Sequence, residues 1–435
     1  MSTTGYTCAA GRAAARSCAV VLAGALAGCA VAMPGDAAAV TRPVSSQPAL
    51  SAPAAILIQP STGDIVFQRR AAARRSIAST TKLMTALLTL ERRALSDRIT
   101  AVPYAAAAAE SVAGLRAGEQ MTTADMLRAL LLTSANDAAA AIAVDIGGSR
   151  RAFVRLMNER ARRAGLRDTH FANPIGLDDA ANYSSAADLA KLALLVRAQP
   201  FAREIVDRSR AVLRSGSRVR VVVNRNTLIG AVPWMTGVKT GHTRRAGYVL
   251  VGSSSRRGVE FVSVVMGAPS EAVRNADTLK LMAYGFGRYH RAAPLLSGTL
   301  RPLYPGRVVA TVGVKHADGG ESGLGVVPAR TVRVVVRRGE HAVATPVGLP
   351  REVEGPLPAR SQLGTLVVRR RGIVVDRVPL VTEKGLARAS WLDRHRWLTS
   401  APALLLACLV AAASLGRARG RRRARGRREA RSNIA

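Results

Sequence analysis

Ile77-Ala78-Ser79-Thr80-Thr81-Lys82-Leu83-Met84-Thr85 places a serine three residues before a lysine where an apolar helical spacing begins. Leu83, Leu87, Leu88 and Leu90 carry that spacing on, predicting a helix from Ser79 to about Arg93. Residues i and i+3 share a helix face, so the Lys82 amine can reach the Ser79 oxygen. The unpaired amides of the helix start are available to a developing oxyanion. A lysine is a base only when neutral. Burial and a second nearby cation both lower its pKa, so a second lysine should accompany it. Alone, the Ser-x-x-Lys spacing is equally a capping serine followed by a surface lysine.

Two more elements lie outward from this stretch. Ser134-Ala135-Asn136 falls in a break between two predicted helices. There a hydroxyl can relay a proton to a leaving amine and an amide can bind a substrate carbonyl. In isolation it is also a C-cap and N-cap pair. Lys239-Thr240-Gly241 falls on a predicted strand. It supplies the second lysine, a threonine able to bind a carboxylate, and a glycine that leaves the strand edge open to a substrate backbone. The bland counterpart is an ordinary exposed strand. The order and element type of the three motifs carry more weight than any one of them.

The segments between the motifs predict an α+β fold. Ala54–Gln59 and Ile65–Gln68 read as a hairpin about Ser61-Thr62-Gly63-Asp64. Helices follow: one with Thr123 as its cap, Asp137–Ile146 ending at Gly147-Gly148, Arg150–Arg163 and Ser185–Arg197. A hairpin at 211–223, strands at Gly237–Thr240, Gly247–Gly252 and Val259–Met266, and a helix at Ser270–Tyr289 close the unit. The strands at both ends should join one antiparallel sheet with helices packed against it. Beyond residue 295, Val308–Val314, Thr331–Val336, Gly364–Val368 and Ile373–Val381 alternate as strands, predicting a small all-β, sandwich-like domain at 295–383.

The three motifs are the set found in β-lactamases and penicillin-binding proteins, apart from an alanine at the middle of the second. Together with Leu132-Thr-Ser-Ala-Asn-Asp-Ala-Ala139, Asn173-Pro-Ile-Gly-Leu177, Gly237-Val-Lys-Thr-Gly-His-Thr243 and Ala246-Gly-Tyr248, residues 54–290 resemble the low-molecular-mass penicillin-binding proteins, the serine D-alanyl-D-alanine carboxypeptidases. The resemblance implies a β-lactamase and transpeptidase-like fold. It implies that Ser79 is acylated, that Lys82 is its base and that Ser134 and Asn136 complete the proton relay and amide-binding side. Lys239 and Thr240 would hold the terminal carboxylate beside Gly241. The amides of Ser79 and His242 would be the oxyanion donors, with the His242 side chain belonging to the strand motif and not to a triad. Ser76 departs from relatives, which often carry proline there. The implied substrates are peptidoglycan stem pentapeptides, with β-lactams as covalent inhibitors and no metal or cofactor. Other readings are a D,D-endopeptidase on cross-links, a non-catalytic penicillin-binding wall scaffold, and a class A β-lactamase. The last lacks a glutamate between Glu159 and Glu204, where its deacylating residue would be sought.

The ends and the composition add a location. Residues 1–39 read as a signal peptide: Arg12 and Arg16, an uncharged run from Ala19 to Met33, and Ala37-Ala38-Ala39. Leu26-Ala27-Gly28-Cys29 also resembles a bacterial lipobox; otherwise Cys29 is a small residue of the apolar run. Residues 40–53 read as a linker. Trp397–Gly416 is uncharged and arginines crowd 417–435, predicting a transmembrane helix with a cytoplasmic basic tail and an extracytoplasmic catalytic domain at the bacterial cell membrane. All four cysteines fall in these end segments, which leaves no cysteine for a disulfide or metal site between them. The net charge of +36 would suit nucleic acid, but the predicted location and 4% aromatic content argue against it. Anionic headgroups for the tail and acidic wall polymers fit better, and arginine-rich composition bias accounts for much of the charge.

Overall fold

The computed structural model describes residues 47–315, 323–388 and 401–432, all within the unit Ser45–Ala435. The expected signal segment with Cys29, residues 40–46 and residues 389–400 lie outside them.

The centre is a five-stranded antiparallel sheet. Its strands are β1 (Ala54–Gln59), β2 (Asp64–Arg69), β3 (Met235–Thr243), β4 (Gly247–Arg256) and β5 (Val259–Ala268), in the order β2-β1-β5-β4-β3. The first hairpin thus pairs with strands some two hundred residues later, Ile56 opposite Val264. Alternation along the strands buries both faces. Ile56, Val249, Val251, Val262 and Val264 face the main helical cluster. Leu57, Leu250, Phe261 and Val265 face the closing helix through Leu281 and Met282.

The helices are α1 (Lys82–Arg92), α2 (Thr123–Arg128), α3 (Asn136–Gly147), α4 (Arg150–Arg163), α5 (Ala186–Arg197), α6 (Pro200–Val206) and α7 (Glu271–Arg288). Ser149, Ser185 and Ser270 cap α4, α5 and α7 by accepting an amide N–H three residues on. At α2 the cap is Thr122, not Thr123 as expected. Thr123 instead donates its hydroxyl to the Asp97 carbonyl. Ser79 does not open an α-helix: Ala78–Thr81 is a turn of 3-10 helix and α1 begins at Lys82. The end of the expected linker is packed, with Leu50 and Ala52 buried and the Ser51 and Ala52 amides donating to Asp277.

Past α7 the chain forms a seven-stranded mixed sheet. A separate ribbon, Tyr289–Ala292 with Val334–Arg337, joins it in one core: Val334 and Val336 pack with Leu366, Val368, Val378 and Leu380. Because Tyr289 follows α7 directly, the β region starts earlier than residue 295.

The expected transmembrane helix is not supported by the described residues. Among them no helix is long and apolar enough to cross a membrane. Helix α8 runs from Ala401 to Ser432, through arginines expected as a separate tail. From Ala401 to Gly416 it rises roughly 24 Å, short of a hydrocarbon core of about 30 Å. The start of the expected span, residues 397–400, lies outside the described residues.

Candidate active site

Ser79 sits in the 3-10 turn at the head of α1, where Thr80 bonds back to the Ile77 carbonyl through its amide and its hydroxyl. Lys82, one turn on, is fully buried. Its amine donates to Ser79 Oγ at 3.2 Å, Asn136 Oδ1 at 2.6 Å and the Ile175 carbonyl at 2.6 Å. Burial drives its pKa down from 10.5 to about 7, with the nearby charges of Glu110 and Asp137 opposing the shift. An amine near neutrality at hydrogen-bond distance from a hydroxyl can take its proton.

The Ile175 carbonyl is presented by the Asn173–Leu177 stretch. Asn173 Oδ1 accepts the amides of Ile175, Gly176 and Leu177 at 3.1, 2.6 and 3.2 Å, tightening the loop. Gly176 has φ +95°, and a Cβ there would lie 2.1 Å from the Ala78 carbonyl oxygen. The loop therefore presses directly on the 3-10 turn that carries Ser79. The Thr85 hydroxyl donates to the Pro174 carbonyl and fixes the same contact from α1.

Ser134 ends a short π-helical turn in the left-handed region, φ 64°. Lys239 on β3, also fully buried, donates to Ser134 Oγ at 3.0 Å and to the Thr240 carbonyl at 2.9 Å. Burial holds its pKa well below the ordinary value, helped by the charges of Lys82, Arg225 and Arg274. The two lysines expected to cooperate thus lie in one polar core. Gly241 is required for a reason beyond an open strand edge: a Cβ there would lie 2.9 Å from the Ile77 carbonyl oxygen and 3.2 Å from the Ser79 nitrogen.

These groups open on a cleft of about 390 Å³ lined by Ser79, Ser134, Arg225, Thr240, Gly241 and His242, among others. Arg274, also in the wall, is bound to Glu271 and Asn275. His242 stacks on Tyr248 with ring centroids 4.0 Å apart, and Ser79 Oγ accepts from Lys82. Of the eight expected residues, Ser79, Ser134, Thr240, Gly241 and His242 line the cleft. Lys82, Asn136 and Lys239 lie outside its lining: Lys82 and Lys239 reach it through bonds to Ser79 and Ser134, and Asn136 through Lys82. Arginines 225 and 274, the Ile175 carbonyl and Glu110 were not singled out from the sequence. Among the described residues no group of histidine, cysteine and acidic side chains could hold a metal.

Comparison with known proteins agrees with this arrangement. Residues 41–270 match the family model of the S11 peptidases, described as D-alanyl-D-alanine carboxypeptidase. The chain is similar to D-alanyl-D-alanine carboxypeptidase DacF of Bacillus subtilis, 30% identical over 80% of this chain and 89% of that protein. It is also similar to DacA of Escherichia coli, 31% identical over 77% and 83%. Among solved structures, the Streptomyces K15 DD-transpeptidase is similar with TM-score 0.53 and 31% identity, over 56% of this chain and all of that one. DacD of Francisella tularensis gives TM-score 0.55 and 25% identity over 79% and 95%. With its α+β fold, Ser79 bonded to the buried Lys82 and Ser134 bonded to the buried Lys239, the chain belongs to the S11 family of serine peptidases, the D-alanyl-D-alanine carboxypeptidases.

Proposed function

We propose that this chain is a serine D,D-carboxypeptidase that removes the terminal D-alanine from peptidoglycan stem pentapeptides through an acyl-enzyme on Ser79. The observation that carries the reading is the contact of Ser79 Oγ with a buried lysine whose pKa lies at about 7. Neutral Lys82 takes the hydroxyl proton as Ser79 Oγ attacks the carbonyl of the penultimate D-alanine. The amides of Ser79 and His242 receive the oxyanion. When the C–N bond breaks, the D-alanine amine takes up a proton through Ser134, whose hydroxyl is bonded to Lys239. Water then cleaves the ester and restores the serine. The terminal carboxylate lies against Thr240, with the exposed Arg225 and the partnered Arg274 supplying positive charge. Lys239 then acts on Ser134 more directly than on the carboxylate. Asn136, held by Lys82, faces the substrate amide.

β-Lactams fit the same chemistry, since their ring carbonyl offers Ser79 the same attack. Incubating purified protein with a fluorescent penicillin should give one covalent adduct, on Ser79. Ser79→Ala should label not at all, and label retained in that variant overturns the assignment. The apolar start of α8 followed by arginines supports membrane attachment of the C-terminal end, with the catalytic domain on the extracytoplasmic side. Cell fractionation with and without residues 397–435 tests this: release of the truncated chain from membranes is expected, and equal retention contradicts it.

A further inference from the structure

Glu110 occupies a segment, residues 101–118, that has no regular secondary structure and forms part of the cleft wall through Ala109 and Ser111. Its Oε2 accepts from Asn136 Nδ2 at 2.6 Å and from the Tyr104 hydroxyl. Its Oε1 accepts the Ala107 amide at 3.3 Å. The far end of the same Asn136 amide accepts the Lys82 amine at 2.6 Å. A continuous chain of contacts therefore runs Tyr104–Glu110–Asn136–Lys82–Ser79.

The chemistry of this chain is directional. A primary amide has an oxygen end and a nitrogen end of similar shape, and only hydrogen-bond partners choose between them. An ionised carboxylate only accepts, so Glu110 selects the nitrogen end. The oxygen is left for Lys82, where an amide nitrogen would offer a donor to a donor. Burial alone would raise the Glu110 pKa, but the bonds from Tyr104 and Asn136, the Ala107 amide and the charge of Lys82 outweigh it and hold the group ionised. The segment is anchored to the head of α3 by other bonds as well. The backbone N–H of Asn136 donates to the Ser111 carbonyl at 2.7 Å, and the Asp137 carboxylate accepts the backbone amides of Ala113 and Leu115.

We infer that Glu110 is a positioning residue of the acylation machinery: its carboxylate fixes the orientation of the Asn136 amide and thereby holds the Lys82 amine beside Ser79. The inference rests on the reading of Ser79 as nucleophile and Lys82 as base. It also carries an electrostatic consequence. The charged groups facing Lys82 are Glu110 from the 101–118 segment, Asp137 on α3 and Lys239 on β3. Glu110 and Asp137 raise the Lys82 pKa, so removing the Glu110 charge lowers it and the amine stays neutral to lower pH.

Two variants separate the bond from the charge. Glu110→Gln keeps an acceptor oxygen for Asn136 and removes the charge; Glu110→Ala removes both. The readout is the second-order rate of acylation by a fluorescent penicillin from about pH 5 to pH 9, with thermal unfolding alongside. For Glu110→Gln, which keeps one acceptor oxygen but can also present its amide nitrogen to Asn136, the expected plateau falls about threefold, with the acid limb moved to lower pH by about half a unit or more. For Glu110→Ala the plateau falls about tenfold. Variants that follow the wild-type profile in both plateau and limb overturn the inference. So does an equal loss of rate in both with the limb unmoved. Should Glu110→Ala fail to fold, the displaced limb of Glu110→Gln still decides. Wild-type protein that does not label at all overturns the underlying reading instead, which the same experiment tells apart.

Discussion

At the scale of single residues, the proposed mechanism depends on keeping one lysine uncharged. Lys82 is competent as a base only without its extra proton, and its pKa of about 7 comes first from burial. The neutral fraction grows as pH rises through that value. Acylation by penicillin should therefore climb with pH to about 7 and level off above it; a profile still climbing steeply near pH 10 would mean an unshifted lysine. Lys82→Ala should fold and acylate at least roughly a hundredfold more slowly, the range expected for loss of a general base. Stopped-flow labelling measures it, and an unchanged rate would assign the base elsewhere. Ser79, Lys82, Ser134, Asn136 and Lys239 were legible from sequence because three short motifs follow one another in a set order on suitable elements, although none of them points to a site alone. The Ile175 carbonyl was not, since a backbone acceptor has no residue type. Nor was Glu110, which follows the alanine run Ala105–Ala109 and meets Asn136 only through the fold.

At the scale of elements, the site is built where the Asn173–Leu177 loop presses on the turn that carries Ser79. Gly176→Ala would place a methyl 2.1 Å from the Ala78 carbonyl oxygen at φ +95°. It should cost about 2 kcal/mol or more in unfolding free energy and slow acylation together. Denaturant unfolding and labelling rates check both effects, and a neutral variant would show that this contact is slack. The hairpin Arg210–Leu213 with Arg220–Val223 is tied down by Arg220, whose guanidinium bonds Glu119 at 2.8 and 2.7 Å in a buried pair. Burial alone would raise the Glu119 pKa, but the Arg220 bonds and the amides of Arg116 and Ser217 bring it from 4.5 down to about 2. Its folded pKa is depressed, so its stabilisation is complete above pH 4.5 and is lost as pH falls towards 2. Arg220→Ala should cost about 3 kcal/mol at neutral pH by leaving the carboxylate buried and unpaired. The deficit relative to wild type should shrink across that acid window; thermal unfolding as a function of pH reads it. This hairpin was visible in sequence from its strands about Ser215-Gly216-Ser217, whereas its anchor, about a hundred residues earlier, was not.

At the scale of the whole molecule, the central antiparallel sheet was legible because strand alternation and helix spacing both repeat locally. The true start of α1, the Thr122 cap and the extra strands of the β region were not, because hydrogen bonding sets such boundaries more than residue pattern does. The catalytic and β regions are joined through Arg370, which bonds Asp64 on β2 and Glu340 while Tyr289 donates to the same Asp64 at 2.7 Å. Arg370→Ala should lower unfolding free energy by about 3 kcal/mol and leave the acylation rate of folded protein unchanged, since the residue lies outside the cleft. Calorimetry with parallel penicillin labelling checks this, and a matching loss of acylation would mean that the two regions are coupled.

The proposed mechanism has Ser79 open the bond before a terminal D-alanine. The most direct measurement is intact-protein mass spectrometry with amino-acid analysis on a D-alanyl-D-alanine-terminated pentapeptide. One equivalent of free D-alanine should appear per peptide, with a transient tetrapeptidyl ester on Ser79 in acid-quenched samples. Release of no D-alanine, or an ester on any other residue, contradicts the assignment of Ser79 as the nucleophile of a D,D-carboxypeptidase.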